Sequence, residues 1–589
     1  MKLKRLLAAA SALLLAAGTQ VFAQDDDWDW SFDDDDSSSS SSNDDFSSFD
    51  DESSDDDFSS FGSDDDFSSF GDDDDFSSFG DDDFGSSFGG DDSGSSLPIT
   101  FTGDFSLDTR LYFAQDDSEN FLSSYFSDPK AATAIRIGKK DADGHRIGIT
   151  DSTLKAFPKA KLGVEYSGSS ADALLTVNLT KETLTDYKED IIDELIIRGY
   201  FLDRHLVLEA GKMKVVWGKG DKLHVLDNFN ADDYTDFIIP DYIDRRISTP
   251  MLRAVYSFDN AIAIEGVFTP FLPKDRFAKE GMWVPGSYAK LNYTVKDAIM
   301  SNVSSGWTSL AEASSFDEDD LYPNVYNLKY AQGGLHITGT AGMVDWGASY
   351  YIGRYKQPSA NLENMIVSVM TDKAVEAQIA QIKASTTMTD AQKKAYISAA
   401  QEKLTAIALP ELDYDLKQTV GLEGATVVGR FNLRAEAGYN ITKDIAGDDP
   451  WVHNNSISWL GGFDLDLPIS NINLNVQETG TYILQSSKIK KGTFKEYDVD
   501  YDPKNRYTNN KLVVNISDSW MHDKVKPEIT VMWGIERGDL VIQPKISYNP
   551  TPELTLSLNA MCIFCRDEYS EFSYWKNNNF VNLGVRFQF

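Results

Sequence analysis

The sequence predicts an all-β fold, a transmembrane antiparallel β-barrel of about 18 strands with 16 as the alternative, and three observations predict it. From Thr102 onward apolar and polar residues alternate with period two, which sends successive side chains to opposite faces of a strand. The connectors between alternating runs are in turn short and long. The last run sets Val581, Leu583, Val585, Phe587 and Phe589 against Asn582, Gly584, Arg586 and Gln588 and keeps alternating to the final residue.

Before the barrel come two segments of other character. Residues 1–23 read as a secretory signal, with Lys2, Lys4 and Arg5, an apolar stretch over 6–17, and Val21-Phe22-Ala23 for cleavage. Residues 24–98 are rich in Asp, Ser, Phe and Gly, and near copies of an Asp run followed by Phe-Ser-Ser-Phe-Gly recur at 64–71, 72–80 and 81–89. Such a repeat cannot bury a core against its own charge, so this segment is expected to be disordered, a spacer or a tether for a periplasmic partner. The 589 residues carry 94 acidic and 54 basic side chains, a net charge of −40. Residues 25–98 hold 28 of the acids; without them and the three basic residues at the start, −15 remains over 99–589. Nucleic-acid binding is not expected from a chain that repels phosphate. Two cysteines exclude a disulfide scaffold and a multi-cysteine zinc site.

The barrel is expected over 99–589, beginning with a strand at 101–113. Alternating pairs follow at 160–166 with 173–179, 195–201 with 206–210, 252–258 with 262–268, 335–340 with 346–351, 420–424 with 431–439, 463–467 with 472–482, 512–516 with 525–535, and 540–548 with 554–560. Turn residues such as Asn549-Pro550-Thr551-Pro552 join partners, whereas 114–155, 218–249, 270–324, 356–413 and 486–510 are long. Short periplasmic turns and long external loops put both ends of the barrel in the periplasm. No stretch of about 18 apolar residues offers a spanning helix, so outer-membrane lipid is the expected surroundings. Strand-end aromatics, among them Tyr112, Tyr166, Trp217, Tyr482, Trp533, Tyr548 and Trp575, are expected in interfacial girdles.

Helical spacing replaces alternation at about 361–409, with a cap at Thr389 and Gln392 three residues on, which predicts a helical hairpin inside an external loop. Cys562 and Cys565 fall on opposite faces of an extended strand, so a disulfide there requires a bend, and free thiols are the alternative. The final strand resembles the C-terminal signal read by the barrel-assembly machinery, with Asn582, Gly584, Phe587 and Phe589 at the expected positions. From Leu206 onward, Gly211, Lys212, Trp217, Gly218, Asp221, Asp227, Asn230 and Asp232 match a motif of a large family of uncharacterised, porin-like Gram-negative outer-membrane barrels, distantly similar to alginate-export porins. Ala231 stands where that motif has Pro. The resemblance implies a porin-like barrel and supplies no substrate.

By parity Arg110, Glu165, Arg198, Glu265, Arg434, Glu436, Lys545 and Arg586 face the lumen. The loop with Trp217, Gly218, Asp221, Asp227, Asp232 and Asp233 is expected either to fold inward as a constriction, to hold calcium weakly through its carboxylates, or to remain an external loop. No cofactor and no other metal is expected. The functional expectation is passive diffusion of small hydrophilic or charged solutes; the alternative is a surface adhesin or ligand-binding barrel with a closed lumen. Enzymatic activity is not expected, because the six His residues show no local catalytic arrangement.

Overall fold

A computed structural model describes residues 98–113, 153–278, 283, 285, 295, 296, 298–316, 321–567 and 569–589. The expected signal segment, the acidic repeat and most of the first long connector lie outside the described residues.

Eighteen strands form one antiparallel sheet. In chain order they are β1 (Ile99–Tyr112), β2 (Thr153–Ser167), β3 (Ala171–Leu179), β4 (Ile192–Phe201), β5 (Leu206–Met213), β6 (Thr249–Ser257), β7 (Ile262–Thr269), β8 (Gln332–Ala341) and β9 (Val344–Arg354). There follow β10 (Leu416–Val428), β11 (Phe431–Ile441), β12 (Ser456–Asp466), β13 (Asn473–Ile483), β14 (Thr508–Ser517), β15 (Val525–Gly534), β16 (Asp539–Thr551), β17 (Leu554–Cys565) and β18 (Phe580–Gln588). Each strand pairs with its neighbour in sequence, and β1 pairs with both β2 and β18, so the sheet closes with no free edge. Every strand expected from alternation is present, most of them longer than the alternating core.

Closure follows from which face is greasy. Along β18, Leu583, Val585 and Phe587 are exposed on the outside, Asn582 is buried inside and Arg586 faces the lumen. The outward row of β1, Phe101, Phe105, Leu107 and Leu111, is likewise exposed. An outward apolar row with polar groups turned inward suits lipid, where every backbone group must be paired within the protein. The β1–β18 seam is finished by the last residue. Phe589 and Gly103 exchange two backbone hydrogen bonds of 2.9 Å, and a Cβ on Gly103 would lie 2.3 Å from the Phe589 ring.

The turns 168–170, 202–205, 258–261, 342–343, 429–430, 467–472, 518–524 and 552–553 share one rim with both ends of the barrel. The other rim carries the long connectors. One of these holds the helical hairpin, α1 (Glu363–Ala384) and α2 (Asp390–Gln401), whose second helix starts with the reciprocal Thr389–Gln392 cap. Met365 and Ile366 of α1 pack with Val295, Ala298, Ile299 and Leu412, which fixes the base of the hairpin to neighbouring loops. No described helix is long and apolar enough to cross a membrane. Cys562 and Cys565 are free thiols on opposite faces of β17.

The aromatic expectation needs correction. Tyr166, Tyr482, Trp533 and Tyr548 are exposed on the outside, but Tyr112, Trp217 and Trp575 are buried within the barrel. Their places follow from partners inside: Tyr112 and Trp575 join a cluster with Trp283, Phe237, Phe572 and Phe580, and Trp217 packs on Phe229.

Candidate functional site: a loop clamped across the lumen

The connector 214–248 between β5 and β6 turns into the barrel and is held on opposite walls. Its base is tied by Asn230, whose Oδ1 accepts from Val215 N at 2.8 Å and whose Nδ2 donates to Met213 O at 3.0 Å and Ile247 O at 2.9 Å. Arg246 is sandwiched between Asp227 and Asp232, the latter at 3.3 Å. Ala231–Tyr234 pairs with Arg246–Ile247 and Arg276–Phe277, giving the loop a small sheet of its own. Ala231, where Pro would have no N–H to donate, lies opposite Ile247 in this small sheet.

On the first wall Glu436 of β11 is the anchor. Its Oε1 accepts from the backbone N–H of Lys219 at 2.8 Å and Gly220 at 2.7 Å, and its Oε2 from Val225 at 2.9 Å and Leu226 at 3.2 Å. The carboxylate fills a concavity of loop amides, as an anion fills a backbone nest. Gly218 permits this approach: its φ is +114°, and a Cβ there would stand 2.4 Å from Glu436 Oε1. Asp221 pairs with Arg434 and accepts from Asn475 at 2.9 Å and Gln477 at 2.8 Å. Trp217 packs edge-on to Phe229 at 4.9 Å and against His336 at 5.0 Å, above Gly334, where a Cβ would lie 2.7 Å from the indole.

On the far wall the same loop plugs into aromatic groups. Phe237 stacks on Trp283 at 4.9 Å and meets Trp575 at 4.7 Å and Phe572 at 5.1 Å. Beside it Asp236 binds Arg110 of β1 at 2.6 Å, and Asp244 binds Lys159 of β2 at 3.3 Å. Burial opposes ionisation of Asp244, yet Lys159, Lys161 and Lys214 hold its carboxyl well below the usual range. Burial pushes the Lys222 ammonium down to about 8.

Two further charge arrays line the wall. A ladder crosses neighbouring strands: Arg198 lies 2.6 Å from Glu209, Arg253 bridges Glu209 at 2.8 Å and Glu265 at 2.7 Å, and His336 stands 3.7 Å from Glu265 and 3.2 Å from Glu423. Across the seam Arg586 binds Asp104 at 2.7 Å and Asn582 donates to Asp108 at 2.6 Å. Beside the loop remains a cavity of about 1210 Å³ lined by Arg110, Lys159, Glu528, Lys545 and Arg586, among others. Its wall carries Lys and Arg in the same number as Asp and Glu, so the −15 of the barrel segment is not expressed there.

The eight residues expected at the lumen do not form one site. Arg110, Lys545 and Arg586 line the cavity; Arg434 and Glu436 hold the loop; Arg198 and Glu265 belong to the ladder. Glu165 lies near the short-turn rim with the Ser167 hydroxyl at 3.1 Å. The loop acids are distributed among Arg434, Arg246, Arg276 and Arg110, and among the described residues no group of three or more His, Cys, Asp or Glu converges to hold a metal. Sequence reasoning did not name Glu209, Arg253, His336 or Phe237. Parity alone places the first three inward; the role of Phe237 depends on a tertiary contact with no local signal.

No family model matches the chain, and no curated protein matches it. Among solved structures it is similar to a BenF-like porin from Pseudomonas fluorescens Pf-5, at 9% identity and a TM-score of 0.36, covering 83% of this chain and 98% of that one. It is similar to the outer membrane protein opdK from Pseudomonas aeruginosa, at 10% identity and a TM-score of 0.35 over 83% and 98% of the two chains. Salmonella typhi OmpF in complex with daunomycin gives 7% identity and a TM-score of 0.33 over 83% and 97%. The strand pairing, rather than scores of this size, establishes the barrel.

Proposed function

We propose that the chain is a porin-like channel of the outer membrane that passes small hydrophilic or charged solutes beside an inward-folded constriction loop. The observation that carries this reading is the loop 214–248, fastened to Glu436 on one wall and to Arg110 and the Trp283–Trp575 cluster on another, beside a charged cavity of about 1210 Å³. Water and ions fit such a polar cavity, and balanced wall charges favour weak selection between cations and anions. Purified protein in planar bilayers is expected to conduct in discrete steps; silence at several voltages would sink an open pore. The C-terminal strand would be read by the barrel-assembly machinery, and the acidic segment would meet its partner in the periplasm.

A closed, surface-binding barrel is the second reading. It is favoured by the hairpin, whose Val367, Met370 and Tyr396 are exposed on the long-loop rim. Catalysis has less support. Ser359, Asp415 and His453 come together, but Ser359 donates to Asp415 at 2.9 Å, as does His453 at 2.6 Å, so the imidazole faces the carboxylate and not the hydroxyl.

A further inference from the structure

On the long-loop side of the clamped loop lies a second, smaller cavity of about 340 Å³. Its wall includes Arg354 at the end of β9, Lys356 just beyond it, Lys417 of β10, and the acids Asp227, Asp232 and Asp275. Asp227 and Asp232 share the single guanidinium of Arg246, and His453 is matched by Asp415. One guanidinium offsets one of those two carboxylates, so Arg354, Lys356 and Lys417 face the other carboxylate and that of Asp275, a surplus of one positive charge.

None of the three makes an ion pair among the described residues. Lys417 Nζ donates to Asn228 Oδ1 at 2.6 Å, Lys356 Nζ to Gln332 Oε1 and to the Tyr351 hydroxyl at 3.2 Å, and Arg354 Nη1 to Tyr414 O. Neutral oxygens satisfy their N–H groups while leaving their charge uncompensated. Asp275 is itself held by the Asp232 amide and the Gln357 side chain, each at 3.0 Å. Burial, with Asp232 close by, pushes its carboxyl up to about 6, which weakens it further as a counter-ion. Burial likewise drives the Lys356 ammonium well below its ordinary value, only partly offset by Asp275, so a bound anion would favour its charged form.

We propose that this cavity is a binding site for a small oxyanion, a carboxylate or phosphate group seated between Arg354, Lys356 and Lys417. The planar guanidinium suits either group, and the two ammonium groups add charge with little demand on direction. The site borders the cavity proposed for conduction and shares Arg246 and Gln357 with it, but Arg354, Lys356 and Lys417 line only the smaller cavity.

The test is titration calorimetry on the full chain folded in detergent, with inorganic phosphate in one arm and succinate in the other. Saturable heat from either ion supports the site, and the arm that responds identifies the group. Lys356→Met and Lys417→Met are each expected to weaken binding about tenfold or more, whereas Lys417→Arg retains it and Lys524→Met on the short-turn rim leaves it unchanged. Folding of each variant is checked by its gel shift on boiling. No heat from either ion, or equal affinity in Lys356→Met, Lys417→Met and the parent, overturns the proposal. A silent bilayer trace with intact binding would remove the channel reading and leave this site standing.

Discussion

Glu436 satisfies four backbone N–H groups on a segment more than two hundred residues away in sequence. Replacing it with Ala strands those donors, at a cost of about 3 kcal/mol or more to loop docking. Larger single-channel conductance and faster cleavage within 214–248 are the expected results, and unchanged values of both would show that the loop is held elsewhere. A second residue-scale expectation concerns Asp498 on the long-loop rim. Burial and the neighbouring Asp500 push its carboxyl from 3.8 to about 7, against the opposing charge of His453. A raised folded-state value stabilises below the unfolded value and is lost as pH rises through the folded one. Amide exchange over 484–507 should therefore quicken between about pH 4 and pH 7, and Asp498→Asn should flatten that dependence. At this scale parity exposed the face of each lumen residue but not its partner. Arg253 lies between Glu209 and Glu265 because of strand register, which alternation alone does not specify.

Among elements, the loop 214–248 acts as a crossbar, fastened by polar contacts on the β11–β13 wall and, on the far wall, by an aromatic cluster together with ion pairs to Arg110 of β1 and Lys159 of β2. Phe237→Ala removes the ring seated between Trp283, Trp575 and Phe572, so the far end should loosen while the Glu436 end stays docked. Conductance noise without a large change in mean conductance is the expected signature in bilayers; noise equal to the parent would contradict independent fastenings. Deleting 363–404 tests the hairpin: raised conductance marks a plug, whereas unchanged conductance with lost surface binding marks an adhesive element. The hairpin was legible because helical spacing and a Thr389–Gln392 cap interrupt a period-two pattern. The inward turn of the crossbar was legible only as one of several outcomes. Its acids, which in sequence suit a constriction or weak calcium binding, lie beside Arg246, Arg276, Arg110 and Arg434, and those pairings depend on tertiary contacts.

For the whole molecule, strand number and rim asymmetry could be read from alternation and connector length, since those depend on local chemistry. The placement of Tyr112, Trp217 and Trp575 could not, because an aromatic ring at a strand end satisfies either lipid or an interior cluster. A closed barrel should run faster on gels before boiling than after, and the two bands coinciding would contradict closure. Removing Phe589 takes away the ring over Gly103 and two seam hydrogen bonds, so a smaller heat-modifiable fraction is expected with the pairing of the other strands retained.

The β1–β18 seam also sets an order of events. Asp104 and Arg586, which meet across it, are 482 positions apart, so the join cannot form until the final strand has been delivered. Until then the sheet presents two unpaired borders of N–H and C=O groups, and any other extended chain can add to them. A polypeptide built this way has to be escorted from translocation to closure, and its most dangerous moment is the interval in which all but one of its strands have already found their neighbours.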